Sequence, residues 1–241
     1  MTAKYEIIWV ADENNRRDYR DRQLYANSQG ADLYFEGHLN AQAYTVDVDG
    51  DGIPDMDAVG TSDNPASCLV ADNASQTSKN IGTFIAEKVS KAFGYPNRGL
   101  VTLKRHADGS ADRAYYNLYY TNMPAVLLEP FYVSDGEQAL MAQSEYAQDV
   151  IAQIIYKAVL KYLPDGGKVA FSIGHLFKAS SKWDRGAPVV NTGGKIAEAD
   201  LVSLYMHKAA DLIEGHGVEV PEPPADPEVL RDGDTVKLTR V

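Results

Sequence analysis

The stretch GADLYFEGHLNA, residues 30–41, reads as a short strand that delivers a histidine to its carboxyl end. Leu33 and Phe35 alternate with Tyr34 and Glu36, Gly37 clears space, His38 follows, and a turn begins at Asn40. A lone histidine is more often a hydrogen-bonded structural residue than part of a site. The company this one keeps, at Glu129, His175 and Glu198, changes the reading.

Working outward, YEIIWVA (5–11) reads as a buried strand, followed by a charged loop and a short helix that ends near Gly30. Residues 67–71 can form a further strand. From Ser78 to Phe93, Ile81, Phe84, Ile85, Val89 and Phe93 recur at helical spacing, and Gly94 with Pro96 supplies the stop. LVTL (100–103) reads as a strand, and PAVLLEPFYV (124–133), the most apolar stretch, as a central strand ending near Glu129. A second amphipathic helix is expected over 137–162, with Ala147, Val150, Ile151, Ile154, Ile155 and Ala158 on one face. KVAFSIGH (168–175) is another buried strand that ends in Gly-His. A helix from about Ala197 to Glu214 follows, its core stripe Leu201, Leu204, Tyr205, Leu212 and Ile213. Glu198 precedes Leu201 by three residues, so its carboxylate shares the inward face and wants a partner.

Strands alternating with helices predict an α/β fold, a single domain over residues 1–220 with a mostly parallel twisted sheet flanked by helices. In such sheets sites gather outside the carboxyl ends of the strands, where His38, Glu129 and His175 fall on this reading. Two stretches stand apart. Residues 44–66, rich in Asp, Gly and Pro, form a long insertion loop, and 221–241 a proline-rich linker and tail.

With 241 residues, 44% hydrophobic and 24% charged, the chain has enough apolar material for a large core. A formal net charge of −11 argues against a nucleic-acid partner, which needs clustered Lys and Arg. No run of 18 apolar residues predicts a membrane span, and MTAKYEIIWVADENNRRD lacks the pattern of a secretory signal. The expectation is a chain made in a cytoplasm, monomeric rather than oligomeric. Its single cysteine, Cys68, excludes an internal disulfide framework and a cysteine zinc cluster.

Two histidines and a carboxylate, with water in a fourth position, make a usual catalytic zinc site, and a further glutamate beside the water can act as general base. The chain supplies that set: His38, His175 and Glu198 as ligands and Glu129 as base. The plainer alternative is that both glutamates are buried carboxylates satisfied structurally. A second metal signal lies in DVDGDGIPD (47–55), where Asp47, Asp49, Asp51 and Asp55 with Gly52 match the start of a calcium loop. Position twelve is Ala58 rather than a bidentate glutamate, so the match is to short aspartate-rich calcium loops and not to a complete EF-hand.

These residues resemble the zinc-dependent N-acetylmuramoyl-L-alanine amidases of bacterial cell-wall hydrolases and phage endolysins. RQLYANSQGADLYFEGHLNA (22–41) is similar to that family's segment leading to its second ligand histidine. NRG (97–99) and NMPAVLLEPFYVSDGE (122–137) are similar to its catalytic-glutamate region. KVAFSIGH, DRGA (184–187) and EADLVSLYMHKAADLIEGHGVEV (198–220) resemble the family's opening half, with its first histidine and ligand glutamate. Here that half comes last, as in a circular permutant whose old termini are joined through LPDGGK (163–168). Pro130 and the extended loop HLFKASSKWDRGA (175–187) also depart from the family pattern.

The resemblance implies zinc at His175, Glu198 and His38, Glu129 as proton carrier, and bacterial peptidoglycan as substrate. The bond cut is then the amide between N-acetylmuramic acid and L-alanine of the stem peptide, by an endolysin or virion-associated lysin acting on the cell wall. Two alternatives are a catalytically inactive wall-binding or virion module and a zinc peptidase cutting within the stem peptide. His106, His207 and His216 are assigned no role.

Overall fold

The computed structural model of the protein describes residues 4–41 and 66–215. Strands β1 (Lys4–Trp9), β2 (Leu33–Gly37), β3 (Ala66–Ala71), β4 (Asn97–Leu103), β5 (Ala125–Glu129) and β6 (Gly166–Ile173) form one sheet in the order β1-β6-β2-β5-β3-β4. β1, β6, β2 and β5 run parallel; β3 is antiparallel to β5, and β4 is parallel to β3. The helices are α1 (Tyr19–Ser28), α2 (Gln76–Phe93), α3 (Gly136–Gln143), α4 (Glu145–Tyr162) and α5 (Glu198–Glu214). This is the mostly parallel α/β sheet flanked by helices that the periodicity predicts.

Period-2 alternation sorts the central strands between two cores. Leu33, Phe35, Val126, Leu128, Val169, Phe171 and Ile173 pack with α2, α4 and α5. Tyr34, Ala125, Leu127 and Ala170 pack on the other face with Ala26 of α1 and with Tyr115 and Leu118. Both faces are therefore covered, and β2 is buried along its whole length. Each fully buried Leu, Ile or Phe contributes roughly 1.5–3 kcal/mol, so the doubly covered strands carry much of the sheet's apolar stabilisation.

Three expectations change. The helix expected over 137–162 is two helices, because Ser144 takes an extended conformation (ψ 140°) and its hydroxyl accepts from the Ala147 amide to cap α4. Apolar periodicity runs through the break and hides it. Leu204, placed on the core stripe of α5, is 46% exposed, since the stripe is carried instead by Leu201, Val202, Tyr205, Met206, Ala209, Leu212 and Ile213. β1 lies at the sheet edge and is only partly buried. The calcium candidates Asp47, Asp49, Asp51 and Asp55, the tail 221–241 and His216 lie outside the described residues.

Register then sets the site. Gly37 is paired with Leu128 of β5 and with Ile173 of β6, so the residues that follow emerge together at one edge. The His38 amide donates to the Leu128 carbonyl (2.9 Å) and the Gly174 amide to the Gly37 carbonyl (2.9 Å). His38, Glu129 and His175 thus leave three adjacent strands at the same level, at their carboxyl ends.

Candidate metal centre

His38 is almost fully buried and Glu198, the first residue of α5, is 3% exposed. Backbone fixes the Glu198 carboxylate: the Leu39 amide donates to Oε1 (3.1 Å) and the Ala187 amide to Oε2 (3.3 Å). Its position in the first turn adds the favourable field of the helix N-terminus, roughly 0.3–1 kcal/mol for such a carboxylate. His38 Nδ1 lies 2.8 Å from Glu198 Oε1, and His175 Nε2 lies 3.4 Å from Oε2. The donor atoms of His38, His175 and Glu198 lie within 4.8 Å of one another, and the two rings meet nearly edge to face, 5.0 Å between centroids. Close approach requires glycine at two points. A Cβ on Gly174 would sit 2.4 Å from His38 Cε1, and one on Gly186 2.5 Å from Glu198 Oε2.

His175 follows β6 in a tight turn closed by Leu176 N–H to the Gly174 carbonyl, with His175 at φ 62°. That left-handed conformation costs an L-residue of order 1–3 kcal/mol and persists only where the surroundings impose it. Here the fully buried Arg22 imposes it, donating to the carbonyls of Ile173 (2.6 Å) and Leu176 and to Ser172 Oγ (3.0 Å). The His175 amide donates to the Tyr19 hydroxyl oxygen (2.8 Å).

Glu129 lies on the wall of a cavity of about 240 Å³ that opens beside the cluster and is also lined by Tyr19, Asn40, Arg113 and Asn117. Asn40 Nδ2 donates to Glu129 Oε2 at 2.7 Å. Burial raises the Glu129 carboxyl above its usual range and the Glu198 charge adds to it, while His38, Arg113 and Arg98 work the other way. A carboxylate so placed is a stronger proton acceptor than one in water.

Burial alone would lower the His38 imidazole, but hydrogen bonds and charge from Glu198 and Glu36 raise it to about 10. His175 is lowered, chiefly by burial, with Glu198 and Asp184 opposing. Two imidazoles and a carboxylate converging at the edge of an open cavity are the donor set of a catalytic zinc site, and the arrangement fits that ion. All four residues picked out by the sequence meet here. Sequence reasoning does not reach Glu36, Asp184, Arg22, Asn40, Asn117 or Tyr19. The nearest sequence signal is the charge of Glu36 one residue before Gly37, which by alternation reads as the wet face of a strand and not as part of a site. His106 pairs with Asp112 at the surface and His207 stacks on Trp9, both outside the site.

The mostly parallel α/β sheet thus carries a candidate metal site of two histidines and a glutamate at its carboxyl edge. Residues 1–161, about two thirds of the chain, match the N-acetylmuramoyl-L-alanine amidase family, and the chain belongs to it. Among solved structures, it is similar to the N-acetylmuramoyl-L-alanine amidase from Clostridium difficile 630 (22% identity, TM-score 0.46, covering 61% of this chain and 66% of that one). It is also similar to the catalytic domain of the amidase CwlV from Bacillus (Paenibacillus) polymyxa var. colistinus (19%, TM-score 0.48, 66% and 73%). A third is the catalytic domain of the CD27L endolysin targeting Clostridia difficile (23%, TM-score 0.38, 59% and 62%). No curated protein matches the chain. Among the described residues no helix is long and apolar enough to cross a membrane.

Proposed function

We propose that the protein is a zinc-dependent peptidoglycan amidase that hydrolyses the amide between N-acetylmuramic acid and the L-alanine of the stem peptide. The observation that carries this reading is the convergence of His38, His175 and Glu198 beside Glu129 in a chain of the amidase family. His38, His175 and Glu198 would hold zinc, which when bound supplies a Lewis acid for the lactyl carbonyl and makes water more acidic. Glu129 takes a proton from the attacking water as its oxygen bonds to the carbonyl carbon. It returns that proton to the alanine nitrogen as the C–N bond breaks. Asn40 holds the Glu129 carboxylate toward the cavity. The cavity then has to admit both the lactyl end and the first residue of the peptide.

Mass spectrometry of digested peptidoglycan tests the reading. Free L-alanine amino termini on intact stem peptides support it. Cuts within the peptide would replace it with a peptidase, and no release at all would leave an inactive wall-binding module. The narrower role of endolysin or virion-associated lysin belongs to the same proposal, and lysis of whole bacteria by added protein tests it.

Circular permutation is proposed on a separate ground. The family match stops at residue 161, yet β6, which begins at Gly166, lies between β1 and β2 and leads to His175 and Glu198. A chain reopened within 163–166, with residue 215 linked to residue 4, should fold and keep its metal site; loss of folding counts against permutation. Calcium at Asp47, Asp49, Asp51 and Asp55 rests on the sequence pattern, and calorimetry with millimolar calcium tests it.

A further inference from the structure

His38 and His175 turn opposite ring nitrogens toward Glu198, Nδ1 from the first and Nε2 from the second. The nitrogen left over on each ring meets a different carboxylate. His38 Nε2 lies 3.0 Å from Glu36 Oε1, and His175 Nδ1 lies 2.9 Å from Asp184 Oδ1. Glu36 is fully buried within β2, where the Tyr34 hydroxyl donates to its Oε2 (2.8 Å) and Asn117 Nδ2 to its Oε1 (2.6 Å). It does not line the cavity, whereas His38, His175 and Glu198 all do.

We infer that Glu36 is a positioning residue of the metal centre: it keeps a proton on His38 Nε2 and so dedicates Nδ1 to the metal, while Asp184 does the converse for His175. The inference rests on the zinc reading above. A neutral imidazole carries one N–H, and an ionised carboxylate only accepts, so the nitrogen facing a carboxylate with no metal beside it is the one that stays protonated. His38 faces a carboxylate on each side, but only the Glu198 side opens to the cavity. Three donors on Glu36 fix its carboxylate and leave no room for it to serve as a further ligand. Such outer carboxylates orient a ligating ring and raise its basicity, and losing one typically costs 10–100-fold in metal affinity.

The test uses the full chain and zinc itself. Competition against a chromogenic chelator measures affinity for wild type, Glu36→Gln and Asp184→Asn, with circular dichroism of the metal-free proteins as the check on folding. Glu36→Gln should bind zinc about 10–100-fold more weakly with its fold intact. Imidazole ¹⁵N spectra of zinc-loaded wild type, which depend on no variant, should show His38 bound through Nδ1 and His175 through Nε2. A wild-type His38 bound through Nε2, or a folded Glu36→Gln with unchanged affinity, overturns the inference while leaving the zinc site standing. A wild type that takes up no zinc overturns the zinc reading itself, and the inference with it.

Discussion

His38 and His175 reach the same carboxylate by opposite routes. His38 extends a strand buried on both faces, its backbone locked into the ladder by the Leu128 carbonyl and its ring set between Glu36 and Glu198. His175 hangs from a turn beyond the sheet, at positive φ, and its outer carboxylate sits on a partly exposed loop beside Lys178. One histidine is placed by regular structure and the other by a set of side chains that hold an irregular backbone. The first arrangement follows from strand pairing, whereas the second depends on contacts from α1, 150 residues away in sequence, through Arg22.

The largest expected effect treats both arms alike. His38→Ala and His175→Ala should each lose zinc and all measurable turnover, because each removes one of the three protein ligands proposed for zinc. Stability should separate them. His38→Ala leaves Glu36 and Glu198 as buried carboxylates without their shared partner, and breaking a buried pair costs about 3–5 kcal/mol. His175 is less enclosed, and its loss should cost less. Urea unfolding of the metal-free variants measures the difference; equal midpoints would mean the two environments are equivalent.

Next comes the residue that belongs to neither arm. Glu129→Ala should retain zinc and fold while turnover drops about 10²–10⁴-fold, the usual worth of a positioned acid or base. Zinc content measured beside muropeptide release checks both halves. Loss of zinc would make Glu129 a ligand instead of a proton carrier.

What the sequence revealed follows the same division. The apolar runs at 124–133 and 168–175, and the Gly-His endings of two strands, made the sheet and the strand-borne part of the site legible, because apolar runs and strand periodicity are local properties of the sequence. Glu198 was legible from its spacing to Leu201 and Tyr205. Glu36 was not, since the alternation Leu33, Tyr34, Phe35, Glu36 reads as a strand with one wet face, and only the neighbours β5 and β6 and the second core show that there is none. Arg22 and Asp184 were out of reach for a different reason. Their roles depend on where a turn and a loop come to rest against α1 and α5, which no period in the sequence encodes.

Arg22→Met tests that dependence. Its guanidinium holds the carbonyls of Ile173 and Leu176 on either side of His175, and hydrogen bonds to a charged donor contribute roughly 1.5–3 kcal/mol each. The variant should be less stable by at least about 2 kcal/mol and bind zinc more weakly, with His38 still bound as in wild type by ¹⁵N imidazole spectra. A disturbed His38 with an undisturbed His175 would reverse the assignment of Arg22 to the irregular arm.

The smallest effect is expected at Lys178, and it sets the limit of the outer network. Lys178 Nζ lies 2.8 Å from Asp184 Oδ2, and both side chains are partly exposed. Burial alone would raise the Asp184 carboxyl, but Lys178, the Gly186 amide and His175 lower it to about 2. The Gly186 amide (3.0 Å) and the His175 ring both bond Asp184 Oδ1, the oxygen that Lys178 does not touch. Removing the lysine therefore leaves the orienting hydrogen bond in place and subtracts only a screened ion pair, worth about 0.2–1 kcal/mol. Lys178→Ala should weaken zinc binding by no more than about fivefold, the upper end of that range, and less as salt is added. Chelator competition at low and high ionic strength measures both. A loss as large as that of Glu36→Gln, insensitive to salt, would show that the lysine and not the Gly186 amide holds Asp184 against His175, and that the exposed arm is as tightly organised as the buried one.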